Sequence, residues 1–116
     1  MRDIIFRGKC IDNNGRWVYG SYIFSPGSHM IREHKDMSRT WSVIPETVGQ
    51  FTGFIRNDEI YEGDICDTHT RLGKCVVKFE SGMFKINGLS LCTFAGKLEV
   101  IGNIHDHRNM LGGEVY

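Results

Sequence analysis

The sequence predicts an all-β, mainly β protein, and three observations carry that expectation. Gly53, Gly63, Gly73 and Gly82 recur about every ten residues, the turn spacing of a small sandwich or barrel. The segments between turns are short and rich in β-branched and aromatic residues that alternate in polarity. No ten-residue window shows a 3.6-residue apolar stripe.

Taken in order, residues 3–7 form the first strand, with Ile4 and Phe6 on one face and Ile5 on the other. Asp12-Asn13-Asn14-Gly15 is a hairpin signal, because Asn and Gly tolerate positive φ. Residues 16–24 return as a strand, and Gly20 within it marks a bulge or a close backbone approach. Ser25-Pro26-Gly27-Ser28 is a turn. Residues 29–40 are polar and weakly patterned, and read as an exposed loop in which Met30-Ile31 adds at most one short strand. Arg32, His34, Lys35 and Arg39 make this loop locally basic, with Glu33 and Asp36 as partial offsets.

Residues 41–44 regain strand character, and Pro45 holds Ile44 extended. Pro45-Glu46-Thr47 fits a single helical turn. Residues 43–65, VIPETVGQFTGFIRNDEIYEGDI, hold the densest turn chemistry in the chain. A meander follows, with strands over 60–68, 74–80, 83–87, 89–94 and 98–106. Val77 and Phe79 are expected on one face, opposite Val76, Lys78 and Glu80. Leu98, Val100, Gly102 and Ile104 alternate with Glu99, Ile101, Asn103 and His105. The tail 107–111 fits a helical turn ended by Gly112-Gly113. The architecture expected is a small SH3-like barrel or meander with an N-terminal β-hairpin region. It forms one domain over 1–116, divided into a hairpin region (1–44) and a central motif with a meander barrel (45–116).

Composition narrows function. Of 116 residues, 41 % are hydrophobic and 24 % charged, values of an ordinary globular chain. Fourteen basic residues balance fourteen acidic ones. A zero net charge argues against a dedicated nucleic-acid binder and does little to oppose self-association. Cys10, Cys66, Cys75 and Cys92 contain no C-x-x-C pair, which excludes a zinc ribbon or thioredoxin-type motif. Free thiols in a reducing cytoplasm is the plain reading, and two disulfides in a secreted protein the alternative. The start MRDIIFRGK is too short in apolar residues for a signal segment, and no run approaches a membrane span.

Each candidate site has a structural counterpart. Glu59, Glu62 and Asp64 offer carboxylates for metal or acid–base work, but turn chemistry explains them without a neighbouring nucleophile. His105 and His107 share a strand face and could join a metal, yet a site needs three or four convergent ligands. Cys66 and Cys75 fall on adjacent strands and read as inert thiols. Trp17, Tyr19, Tyr22, Trp41, Phe51 and Tyr61 could stack bases, but a small β core needs such rings. No phosphate-binding loop, G-x-S-x-G or H-E-x-x-H is present.

The residues also carry a resemblance. Pro45 to Gln50 (PETVGQ), Phe51, Thr52-Gly53 and Ile60 to Ile65 (IYEGDI) resemble the signature of the YopX family. Ile5-Phe6-Arg7 leading to Trp17-Val18-Tyr19-Gly20 is similar to its N-terminal strand pair, and residues 98–104 to its closing strand. The similarity spans nearly the whole chain. The segment 54–59 departs from it, being short where the family carries a lysine- and glycine-containing turn. The resemblance implies no activity, cofactor or catalytic residue. It implies an accessory protein of a phage or prophage, acting in the cytoplasm of the bacterial host. The motif residues Pro45, Glu46, Gly49, Gln50, Gly53, Tyr61, Gly63 and Asp64 then read as structural. Gly49, Gly53 and Gly63 are expected in turns, and Val48, Phe51, Ile60, Tyr61 and Ile65 in the core.

The expected function is a non-enzymatic module that binds itself or a protein partner, with no cofactor and no metal. The alternative is a nucleic-acid-binding accessory factor using Arg7, Lys9, Arg16, Trp17, Arg32, Lys35 and Arg39. A metal-dependent enzyme is a distant third and would need His105, His107 and the acidic cluster to converge.

Overall fold

The computed structural model describes residues 4–12, 15–94, 96–107 and 109. Eleven strands are named among them: β1 (Phe6–Lys9), β2 (Trp17–Ser25), β3 (Ser28–Glu33), β4 (Thr40–Ser42), β5 (Gly49–Ile55), β6 (Glu59–Tyr61), β7 (Asp64–Asp67), β8 (Lys74–Glu80), β9 (Met83–Ile86), β10 (Leu89–Ser90) and β11 (Glu99–Asn103). Two 3-10 turns, Pro45–Thr47 and Leu91–Phe94, complete the described elements. The protein is all-β, built from two antiparallel sheets. No helix among the described residues is long and apolar enough to cross a membrane. The chain divides into two compact units, Met1–Phe51 and Thr52–Tyr116.

The first unit is a sheet with strand order β4-β3-β2-β1-β5. Gly15 takes φ 69° at the close of the first hairpin, whose Asn13 and Asn14 lie outside the described residues. Gly27, at φ 78°, makes the Pro26-Gly27 turn that sets Ser25 opposite Ser28. Gly20 is the close approach its position suggested. A Cβ there would lie 1.8 Å from the Arg32 carbonyl oxygen. One isolated bridge, Cys10 to Val43, returns the chain after β4 to the end of β1. Ile11 N–H donates to Ser42 O and Ile44 N–H to Lys9 O beside it. Cys10, Val18, Ile31 and Val43 fill the interior, and Phe6, Tyr22, Trp41 and Val48 pack against them. Each such Ile or Val contributes about 1.5–3 kcal/mol by burial.

The expected loop over 29–40 shrinks to residues 34–39, because β3 occupies its first half. Ile31 alone is fully buried in that strand, between half-buried Met30 and exposed Arg32. One buried residue leaves no alternation to read. The Pro45–Thr47 turn forms as expected. Thr47 anchors it: its Oγ1 accepts from Lys9 N–H (2.9 Å) and donates to Ile44 O (2.6 Å).

β5 carries the chain into the second unit, where its far half pairs with β6. Gly49 is not a turn but a buried strand residue opposite Arg7. Gly53 also sits inside β5, at φ 90°. Phe51 is half-buried rather than core. Gly63 is a true turn at φ 92°, and Ile60, Tyr61 and Ile65 are buried as expected. The Asp64 carboxylate closes this turn by accepting Tyr61 N–H at 2.7 Å.

The second unit's large sheet runs β10-β9-β8-β7-β11 and does not close into the SH3-like barrel; the meander is what forms. The reason is local. β10 stops after two residues and becomes the Leu91–Phe94 turn, where the expected strand 89–94 would have continued. Three residues per turn bring Leu91 and Phe94 to one side, into the core with Ile60, Cys66, Val77, Ile86 and Leu98. Val76 and Val77 are both buried while Phe79 is 51 % exposed, so burial in β8 follows the covered end of the strand rather than strict alternation. β11 covers only 99–103 of the expected 98–106, with a register shift between Val100 and Gly102. The Val100 N–H and C=O point away from β7, and the Asn57 side chain clasps them: Val100 N–H donates to Asn57 Oδ1 (2.9 Å) and Asn57 Nδ2 to Val100 O (3.1 Å). Of the expected tail turn 107–111, only residues 107 and 109 are described.

Candidate functional site

The acidic residues around Gly63 have separate fates. Glu59 is exposed, Glu62 half-buried, and Asp64 buried in its turn bond. Among the described residues no group of three or more His, Cys, Asp or Glu could hold a metal ion. His105 and His107 belong to a turn organised by buried Asn103, whose Oδ1 accepts from His105 N–H (3.0 Å) and Asp106 N–H (2.9 Å). His107 Nδ1 accepts Asn103 N–H at 3.2 Å. His69 is exposed and lies 3.3 Å from Glu99 Oε1 through Nε2.

All four cysteines are free. Cys66 stands opposite Cys75 in the β7–β8 register, as adjacent strands suggested. Burial pushes the Cys66 thiol up to about 12, with the Asp64 and Cys75 charges adding to the effect. Burial also raises Cys75, with Asp67 as the second cause, and its thiol donates to Leu72 O at 3.4 Å. Burial raises Cys10 despite the opposing Arg16 charge.

The basic and aromatic residues of the first unit fall on more than one surface. Lys9 is opposite Trp17 and Arg7 opposite Tyr19 across β1 and β2, and Ser21 is opposite Arg32 across β2 and β3. By alternation Arg7, Lys9, Trp17 and Arg32 therefore share one sheet face. Arg7 is nonetheless buried. Its guanidinium lies 4.7 Å over the Trp17 ring, and Lys9 Nζ lies 5.9 Å from the same ring. Arg16 stacks 4.7 Å over Trp41, on the core side. Lys35 and Arg39 are exposed in the 34–39 loop, where Arg39 pairs with Asp36 at 3.3 Å.

Two features were not singled out from the sequence. An aromatic row runs Phe6–Tyr22–Phe24 with His29 stacked beside it, and Tyr22 Oη bonds His29 Nδ1 at 2.6 Å. The two-residue spacing of Tyr22 and Phe24 was the available signal. The second is a cavity of about 190 Å³ lined by Ser21, Arg32, Glu33, His34 and Met37. Ser21 carried no local signal, because only the β2–β3 register brings it to Arg32.

Compared with known proteins, residues 17–112 match the family model described as YopX protein. No curated protein and no solved structure matches the chain.

Proposed function

We propose that this chain, which belongs to the YopX family, acts by contact with another protein, in the first place a second copy of itself, rather than by catalysis. The observation that carries the reading is in β8 and β9. The core rung Val77–Ile86 is followed along the same face by the rung Phe79–Phe84. Those two rings meet edge to face at 4.9 Å, and Phe79 is half-exposed. Exposed Leu89, on β10 opposite Ile86, stands on the same sheet face. Apolar side chains grouped at a surface favour association, and covering one ring contributes about 1.5–3 kcal/mol. A net charge of zero sets no long-range barrier to self-contact. The setting that goes with this reading is an accessory role for a phage or prophage in the cytoplasm of a bacterial host.

Nucleic-acid binding has less support. The rings of Trp17 and Trp41 that would stack bases already carry Arg7 and Arg16.

Light scattering after size exclusion tests the proposal, at low and moderate salt, with wild type and Phe79→Ser. A defined oligomer that reverts to monomer in Phe79→Ser is the expected result. A wild-type monomer at every concentration, or an oligomer untouched by the substitution, overturns it. A mass shift with added oligonucleotide that fades as salt rises would favour the nucleic-acid alternative instead.

A further inference from the structure

The cavity between β2, β3 and the 34–39 loop holds an unusual set of groups for a surface hollow. Ser21 and Arg32 are register partners, so their side chains stand on one face about 5 Å apart at Cβ. His34 N–H donates to Tyr19 O (3.4 Å), which continues the pairing one step past β3. His34 follows Arg32 by two residues and reaches the same cavity. The loop folds back through Glu33 N–H to Arg39 O and Arg39 N–H to Asp36 O, both 3.0 Å, and exposed Met37 forms one wall.

The carboxylates nearby are already engaged. Glu33 accepts Trp41 Nε1–H at 2.9 Å. Asp36 accepts from the Ser38 N–H and hydroxyl and pairs with Arg39. Among the described residues Arg32 forms no ion pair. The cavity therefore offers a guanidinium fork, an imidazole and a hydroxyl, and its one lining carboxylate, Glu33, is held by the Trp41 indole.

We propose that this cavity binds the phosphoryl group of a small phosphomonoester. The planar guanidinium takes two oxygens of a tetrahedral oxyanion, and Ser21 Oγ–H and an imidazole N–H donate to the others. A monoester, which can turn three terminal oxygens to these donors, suits this set better than a diester, which can turn two. Volume limits the ligand as well. Pockets for drug-sized ligands span roughly 300–1,000 Å³, so about 190 Å³ takes a phosphoryl group with a few attached carbons, which Met37 would flank.

The test is an amide NMR titration of the full chain with inorganic phosphate at constant ionic strength. Saturable shifts at Ser21, Arg32 and His34 are expected. Arg32→Gln should weaken binding by about tenfold or more, and Ser21→Ala by a smaller factor. Both positions are exposed, so the remaining amide peaks report an intact fold in each variant. Shifts that grow linearly without saturating, or an Arg32→Gln titration like that of wild type, overturn the proposal. An oligonucleotide lacking a terminal phosphate that saturates the same amides more tightly than phosphate would also overturn it, and would assign the cavity to a nucleic-acid backbone.

Discussion

The Cys66 thiol is fully buried, two residues from Asp64 and opposite Cys75. An ordinary thiol ionises near about 8.5, whereas burial raises Cys66 to about 12. Below the lower value both folded and unfolded chains keep the proton, and the contribution of the buried thiol is fully present. Above it the unfolded chain ionises while the folded one does not. Stability then falls as pH rises toward about 12, with a slope approaching about 1.4 kcal/mol per pH unit from this group. Urea midpoints at about pH 8 and about pH 10.5 should therefore separate in wild type and separate less in Cys66→Ala. Equal separations would remove the thiol from the account. The sequence placed Cys66 and Cys75 on neighbouring strands but could not show that they face each other, since that depends on the register set by the six-residue connection 68–73.

Strands were legible where composition and turns agree. β2 and β8 follow their expected spans closely, and the Pro45–Thr47 turn is where Pro and Ile44 put it. Gly20 is the position at which an element depends on one absent atom. A methyl group there meets the Arg32 carbonyl, which is backbone and cannot swing aside. Gly20→Ala should thus separate β2 from β3 and cost about 3 kcal/mol or more, read as a lowered urea midpoint with weakened amide protection in β3. An unchanged midpoint would mean the strands can slide apart at no cost. Other elements were illegible for stated reasons. Gly49 and Gly53 look like turn residues in sequence, yet both lie within β5, one opposite Arg7 and the other at positive φ. Leu89 to Phe94 reads as a strand because Gly88 and Ala95-Gly96 bound it as turns. The 3-10 path buries Leu91 and Phe94 together, which an extended segment could not do at that spacing.

At the scale of the whole molecule, the all-β class was written in turn spacing and composition, and the family in the central motif. Barrel closure was not, because it depends on where the last strands stop, and β10 stops early. The phosphoryl cavity was half-visible: Arg32 and His34 stood out as a basic run, while Ser21 and Met37 join them only through strand pairing and a loop fold-back. The Asn57 clasp has a consequence for polymerisation. β11 is the last strand of its sheet, and its outward Val100 peptide groups are the bonds that another molecule's strand would seek. Asn57 occupies both of them and acts as a single-residue dummy strand. Stacking of copies into fibres is thereby capped at this end. Asn57→Ala should shorten the lag before thioflavin fluorescence rises in an agitated solution, at little cost to the monomer, since the residue is exposed. An unaltered lag would show that fibre growth starts elsewhere. The same amide thus sets the proposed self-contact on side chains rather than on strand addition at β11.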